Sequence, residues 1–128
     1  YESENLNIPI NTTFIRTLKS SDEQFLMRLG DFIEKKWTDS TLHVDDFCSN
    51  LGYSQSQLYR KMSTIVHQST NGFLKDFRLA KALKLMNKKD KNISEIAFES
   101  GFNSIAYFSK CFKNKFNILP SAYLKSLN

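Results

Sequence analysis

Residues 92–123 read NISEIAFESGFNSIAYFSKCFKNKFNILPSAY. Asn92 can cap a short helix, and Glu95 stands where a capping-box carboxylate reaches back to it. Ile93, Ile96 and Ala97 recur at helical spacing and give that helix one apolar stripe. Gly101 stops it, because glycine takes a positive φ without steric cost. Phe102 follows as an apolar anchor. Asn103 or Ser104 opens a second helix, and Phe108 and Phe112 bury one side of it. Two short helices joined through a glycine turn make a helix-turn-helix, whose second helix can lie in a DNA major groove. A helical hairpin whose aromatics serve only as core also accounts for Phe108 and Phe112. It leaves the basic outer face unexplained.

The motif occurs twice. Val44, Phe47, Cys48, Gly52 and Tyr53 match Ile93, Ile96, Ala97, Gly101 and Phe102 at an offset of 49. Past the turn the offset is 50, and Leu58, Arg60 and Met62 match Phe108, Lys110 and Phe112. Ser54 and Gln57 form a further capping box. Between the units, Leu74, Arg78, Ala82, Leu85 and Met86 share one predicted face of a helix over 71–87. Upstream, Ser20 or Ser21 starts a helix with Glu23 and Gln24 as capping partners. Phe25, Leu29, Phe32, Ile33 and Trp37 form its stripe. Its acidity argues against contact with a polyanion. Residues 1–19 lack clear periodicity and read as a linker or tail tethering the module to something upstream. A chain that begins at Tyr1 is expected to be a piece of a longer protein.

The run I-x-E-I-A-x-x-x-G-F-x-S-x-x-Y-F-x-K-x-F-K, Ile93 to Lys113, followed by P-S-x-Y, resembles the C-terminal signature of the AraC/XylS family of transcription regulators. With the first unit and the R-L-x-x-A-x-x-L pattern of the intervening helix, the likeness runs from about Ser20 to Tyr123. The form L-Y-R-K, Leu58 to Lys61, is most similar to output domains of bacterial two-component proteins, of hybrid or response-regulator type. The resemblance implies an all-α, homeodomain-like fold: a lobe over about 20–68, a linker helix over 71–87, and a second lobe over about 92–128. The family pattern usually has Gly where His67 and Asn117 stand, Pro at Thr70, a Thr cap at Leu119 and a base at Leu124. His and Asn tolerate the left-handed conformation, so both turns are expected to survive with some strain. Leu cannot accept a capping bond, so the last helix, opened by Pro120, is expected to fray.

Charge points the same way. The chain carries 18 basic and 13 acidic residues, net +5. Residues 54–128 sum to +9, whereas 21–53 sum to −4. A basic segment of that size fits a polyanion, although a solvated Lys-rich surface has the same composition. Cys48 and Cys111 lack zinc-site spacing, and His43 and His67 lack metal-like spacing. Two small buried thiols fit a reducing cytosol, and the expected location is cytoplasmic. His43 stands at an N-cap position. No apolar run has transmembrane length, so no membrane contact by this segment is expected. No nucleophile–base pair, paired catalytic carboxylates or phosphate-cradling loop is evident. Neither enzyme activity nor a cofactor is expected.

On the helix after Ser54, Leu58, Met62 and Ile65 mark the buried side. Ser56, Arg60 and Ser63 then lie opposite, flanked by Gln57 and Tyr59. Arg60 can bridge guanine O6 and N7; its plainer role is a phosphate clamp or surface ion pair. In the second unit Ala106, Lys110 and Lys113 face outward, flanked by Ile105 and Ser109. Lys110 can reach a guanine as a point charge, and Ile105 and Ala106 can touch thymine methyls. Expected base contacts are thus Ser56, Gln57, Tyr59, Arg60, Ile105, Ala106, Ser109 and Lys110. Expected backbone contacts are Lys61, Ser63, Lys75, Arg78 and Lys113, each of which also reads as an ordinary solvated side chain. The expected partner is a double-stranded promoter or operator, with an upstream signalling domain and RNA polymerase as further partners. A helical protein-interaction module with little specific DNA contact is the alternative.

Overall fold

The computed structural model describes residues 20–128, and the tether expected over 1–19 lies outside them. Among the described residues there are seven helices and no strand: α1 (Ser21–Lys36), α2 (Val44–Leu51), α3 (Gln55–Lys61), α4 (Thr70–Asn87), α5 (Ile93–Glu99), α6 (Ile105–Phe116) and α7 (Pro120–Ser126). Between α3 and α4 a single wide turn, Met62–Val66, continues the first.

Local chemistry sets most of the boundaries. Ser20 Oγ accepts from the Glu23 amide at 3.2 Å, and the Glu23 carboxylate accepts from the Ser20 amide at 3.1 Å. Ser54 with Gln57 and Asn92 with Glu95 repeat this reciprocal box. Ser104 caps α6 through the Tyr107 amide at 3.1 Å. At His43 the Asp46 carboxylate accepts the cap residue's own amide at 3.0 Å. Each such cap satisfies amides that helix geometry leaves unpaired, worth about 1 kcal/mol. Gly52 and Gly101 turn the chain at φ 79° and 91°. His67 and Asn117 adopt φ 64° and 61°, the left-handed conformation expected of them.

Each helix-turn-helix encloses its own core. Phe25, Leu29, Ile33, Phe47, Leu58 and Met62 fill the first, joined by Leu74 from α4. Ile96, Ala97, Phe102, Phe108 and Phe112 fill the second, joined by Leu79, Ala82 and Met86 from α4. The linker helix therefore has two buried faces in succession, where the sequence indicates one. Leu79, absent from the predicted stripe, is fully buried, whereas Arg78 and Leu85 are only partly so. Trp37, the C-cap of α1, ends its apolar stripe partly buried against the first core, and it packs on Phe77 of α4 with ring centroids 6.3 Å apart.

The last helix forms without a side-chain cap at Leu119. Pro120 is fully buried at its start. The Tyr123 ring lies 6.0 Å from that of Phe112, and the Tyr123 hydroxyl donates to Asn87 Oδ1 at 3.0 Å. Tertiary packing thus holds α7 where local capping does not.

Candidate nucleic-acid interface

The first reading helix is α3. Leu58 and Met62 are buried, and Ser56, Gln57, Tyr59, Arg60 and Ser63 are exposed. Tyr59 is 70% exposed, an uncommon position for a large ring, and stands beside Arg60. The Gln57 carbonyl oxygen accepts from the Ser54 amide at 2.9 Å, so that side chain serves the cap and offers outward only its amide NH₂ group. The wide turn after Lys61 shifts the helical phase. Ile65, on the buried side as its spacing indicates, is partly buried against the first core, and Ser63 and Thr64 both face solvent. Thr64 Oγ1 donates to the Arg60 carbonyl at 2.8 Å.

Lys61 is partly buried and lays its ammonium 5.7 Å from the Phe25 ring centroid and 5.4 Å from that of Tyr53. This cation–π seat holds the charge at the α1 side of α3, next to a groove also lined by Gln57 and Arg60.

On α6, the second reading helix, Phe108, Cys111 and Phe112 are buried. Ile105, Ala106, Lys110 and Lys113 are exposed and Ser109 is partly so. The predicted outward set is therefore together on one face. Lys115, just beyond it, pairs with Asp76 of α4 at 3.3 Å. Tyr107 lies to the side, facing Cys111 and Arg78. A hydrogen bond with Cys111, then burial, raises its phenol pKa, and the Arg78 charge opposes them.

Lys75 is partly buried on α4. Arg78 differs from the other candidate backbone contacts. Its Nε donates to the Trp37 carbonyl at 2.8 Å and its Nη2 to the Asp39 carbonyl at 2.7 Å. Burial lowers its pKa, and the Asp39 carboxylate opposes that. Two of its donor groups are thus engaged with backbone carbonyls of the protein, a role to which the R-L-x-x-A-x-x-L pattern alone does not point. Among the described residues, no group of three or more His, Cys, Asp or Glu side chains could hold a metal ion. No described helix is long and apolar enough to cross a membrane.

The helix-turn-helix domain family matches residues 47–126. A protein of Formosa agariphila named histidine kinase P4 is 36% identical over 107 residues; the match takes 84% of this chain and only 8% of the kinase. The regulatory protein SoxS of Salmonella typhimurium is 29% identical over 103 residues, covering 80% of this chain and 95% of SoxS. Among solved structures, the C-terminal domain of AraT, a response regulator from Geobacillus stearothermophilus, superposes with a TM-score of 0.77 at 26% identity, covering 84% of this chain and 88% of that one. Two glycine-turned helix pairs on one linker helix, with the matching signature at both turns, place the chain in a known group: it belongs to the AraC-type helix-turn-helix family of DNA-binding transcription regulators.

Proposed function

We propose that the chain is the DNA-reading output module of a bacterial transcription regulator, with α3 and α6 entering successive major grooves of one operator. The observation that carries this reading is the pairing of two capped helices, each with polar and basic side chains outward, on one shared linker helix. Arg60 is the main base reader, through guanine O6 and N7. Ser56, Gln57 and Tyr59 flank it, and Ile105, Ala106, Ser109 and Lys110 form the second reading set. Lys61, Ser63, Lys75 and Lys113 hold the phosphate backbone, which sets register without specifying sequence. Arg78 belongs with the scaffold in this reading, because its donors face backbone carbonyls.

An upstream signalling domain and a cytoplasmic location complete the proposal, with RNA polymerase as a further partner. A match that covers so little of a named histidine kinase supports an output domain at work within a larger sensor. The module itself has no catalytic role.

Selection from a random duplex pool, followed by a salt titration on the selected site, tests the reading. Binding driven by phosphate contacts weakens with salt at a slope of about −0.9 per phosphate contacted. A chain that selects no sequence and shows no such slope is a protein-interaction module instead.

A further inference from the structure

We propose that Arg78 and Asp76, acting with Gly101, fix the angle between the two reading helices and thereby select the spacing of the two DNA half-sites; this rests on the DNA-reading function above. Three parts of the chain meet at Arg78. Its guanidinium, on the linker helix, takes the Trp37 and Asp39 carbonyls at the end of α1. The Trp37 carbonyl belongs to the C-cap of α1, where helix geometry leaves acceptors unpaired and a cation is favoured, while the Asp39 carbonyl in the following turn also accepts from the Leu42 amide at 3.1 Å. The turn of the second unit rests on the same bond. A Cβ added at Gly101 would stand 2.5 Å from the Trp37 carbonyl oxygen and 2.7 Å from Arg78 Nε. A single methyl group therefore does not fit between the second lobe's turn and the first lobe's helix end.

Asp76 makes a second junction. Its Oδ2 accepts from Gln68 Nε2 at 2.7 Å, just past the first reading helix, and pairs with Lys115 of the second reading helix at 3.3 Å. Asp76 and Arg78 are two positions apart on α4, about 200° around its axis. The lobes are thus tied on two sides of the linker, and rotation about it must break one tie or the other. By contrast, the ends of α3 and α6 meet no other shared residue of α4 in hydrogen bonds or ion pairs among the described residues.

None of these residues needs to touch a base. They act on sequence choice by fixing where the second reading helix lands once the first is seated. Two linked modules gain avidity only while geometry allows both to engage. The test uses Asp76→Ala and Arg78→Gln in the full chain. Each is titrated against duplexes that carry two half-sites at a series of spacings, and against one half-site alone. The parent should prefer one spacing sharply. The variants should keep single-half-site affinity within about twofold, yet lose about tenfold or more at the preferred spacing and show a flattened profile. A uniform loss on every duplex, single half-site included, would mean general damage and overturn the proposal, as would an unchanged spacing profile in Asp76→Ala. Residual dipolar couplings of the free protein read lobe orientation without DNA. A parent whose lobes reorient freely overturns the lock. A parent with fixed lobes that become mobile in the variants, but no duplex binding, supports the lock and sinks the DNA reading instead.

Discussion

His67 and Asn117 close the two reading helices in the same left-handed conformation, at φ 64° and 61°. The Asn117 amide donates to the Lys113 carbonyl at 2.8 Å, so the backbone there is a formed cap. A Cβ at such an angle carries strain that glycine avoids. Asn117→Gly should therefore stabilise the protein by something under about 1 kcal/mol. Thermal melts of the two forms check this, and a lower midpoint for the glycine form would show that the Asn117 side chain contributes more than its strain costs.

Gly52 and Gly101 occupy matching turns but face different surroundings. A Cβ at Gly52 meets nothing within 4 Å, whereas one at Gly101 meets backbone oxygen and the Arg78 side chain. Gly52→Ala should cost about 1 kcal/mol, from the positive φ alone. Gly101→Ala should cost roughly 1–3 kcal/mol more, because neighbouring groups must also shift. Urea unfolding of both variants separates the two effects, and equal losses would mean that the lobe junction opens freely.

Leu119 is half exposed and offers no capping oxygen to α7. Leu119→Thr restores an acceptor at an extended N-cap, φ −69° and ψ 147°. The expected gain is about 0.5–1 kcal/mol. Slower amide exchange in 121–126 should accompany it; unchanged exchange would mean that packing by Tyr123 already saturates the end of the chain.

Arg60→Ala should weaken binding to the preferred duplex by roughly 1–3 kcal/mol and relax the choice at one base pair. Selection repeated with the variant provides the readout. A loss that is equal on all sequences would reassign Arg60 to the phosphate backbone.

The linker helix has 18 residues, so it is about 27 Å long. Major grooves on one side of B-DNA recur roughly every 34 Å, a gap that bending the duplex can close at an order of 1–6 kcal/mol. Inserting about 5 bp between half-sites turns the second one to the far side. Affinity should fall to that of a single lobe, and a full-turn insertion should fail as well, because the linker cannot lengthen. Gel-shift titration of the three operators checks this, and equal affinity for all would leave only one lobe engaged.

Much of this architecture is legible in the residues alone. The caps at Ser20, Ser54, Asn92 and Ser104 are local chemistry, since cap and partner lie within one turn. The same is true of the positive φ at Gly101 and Asn117. The role of Arg78 is not legible locally, because its partners lie 39 and 41 positions away, and a basic residue on a helix is equally suited to a phosphate. Leu79 falls off the single stripe because a wheel assumes one environment along a whole helix, whereas α4 passes from one core to another. The wide turn at Met62–Val66 has no mark in composition, although Ile65 within it still packs against the first core as its spacing indicates. For the reading faces, sequence and structure agree on which side chains point outward, as helical periodicity requires of any amphipathic segment.

Because α4 supplies Leu74 to one core and Leu79, Ala82 and Met86 to the other, neither half is a separable piece of material. A gene fragment ending after Asn87 would encode a first lobe with a greasy strip laid bare. One starting after Asn87 would encode a second lobe missing part of its interior. Both products would be prey for proteases and prone to clumping. Recombination can therefore shuffle what lies upstream of Ser20 far more readily than it can divide the module within the linker helix.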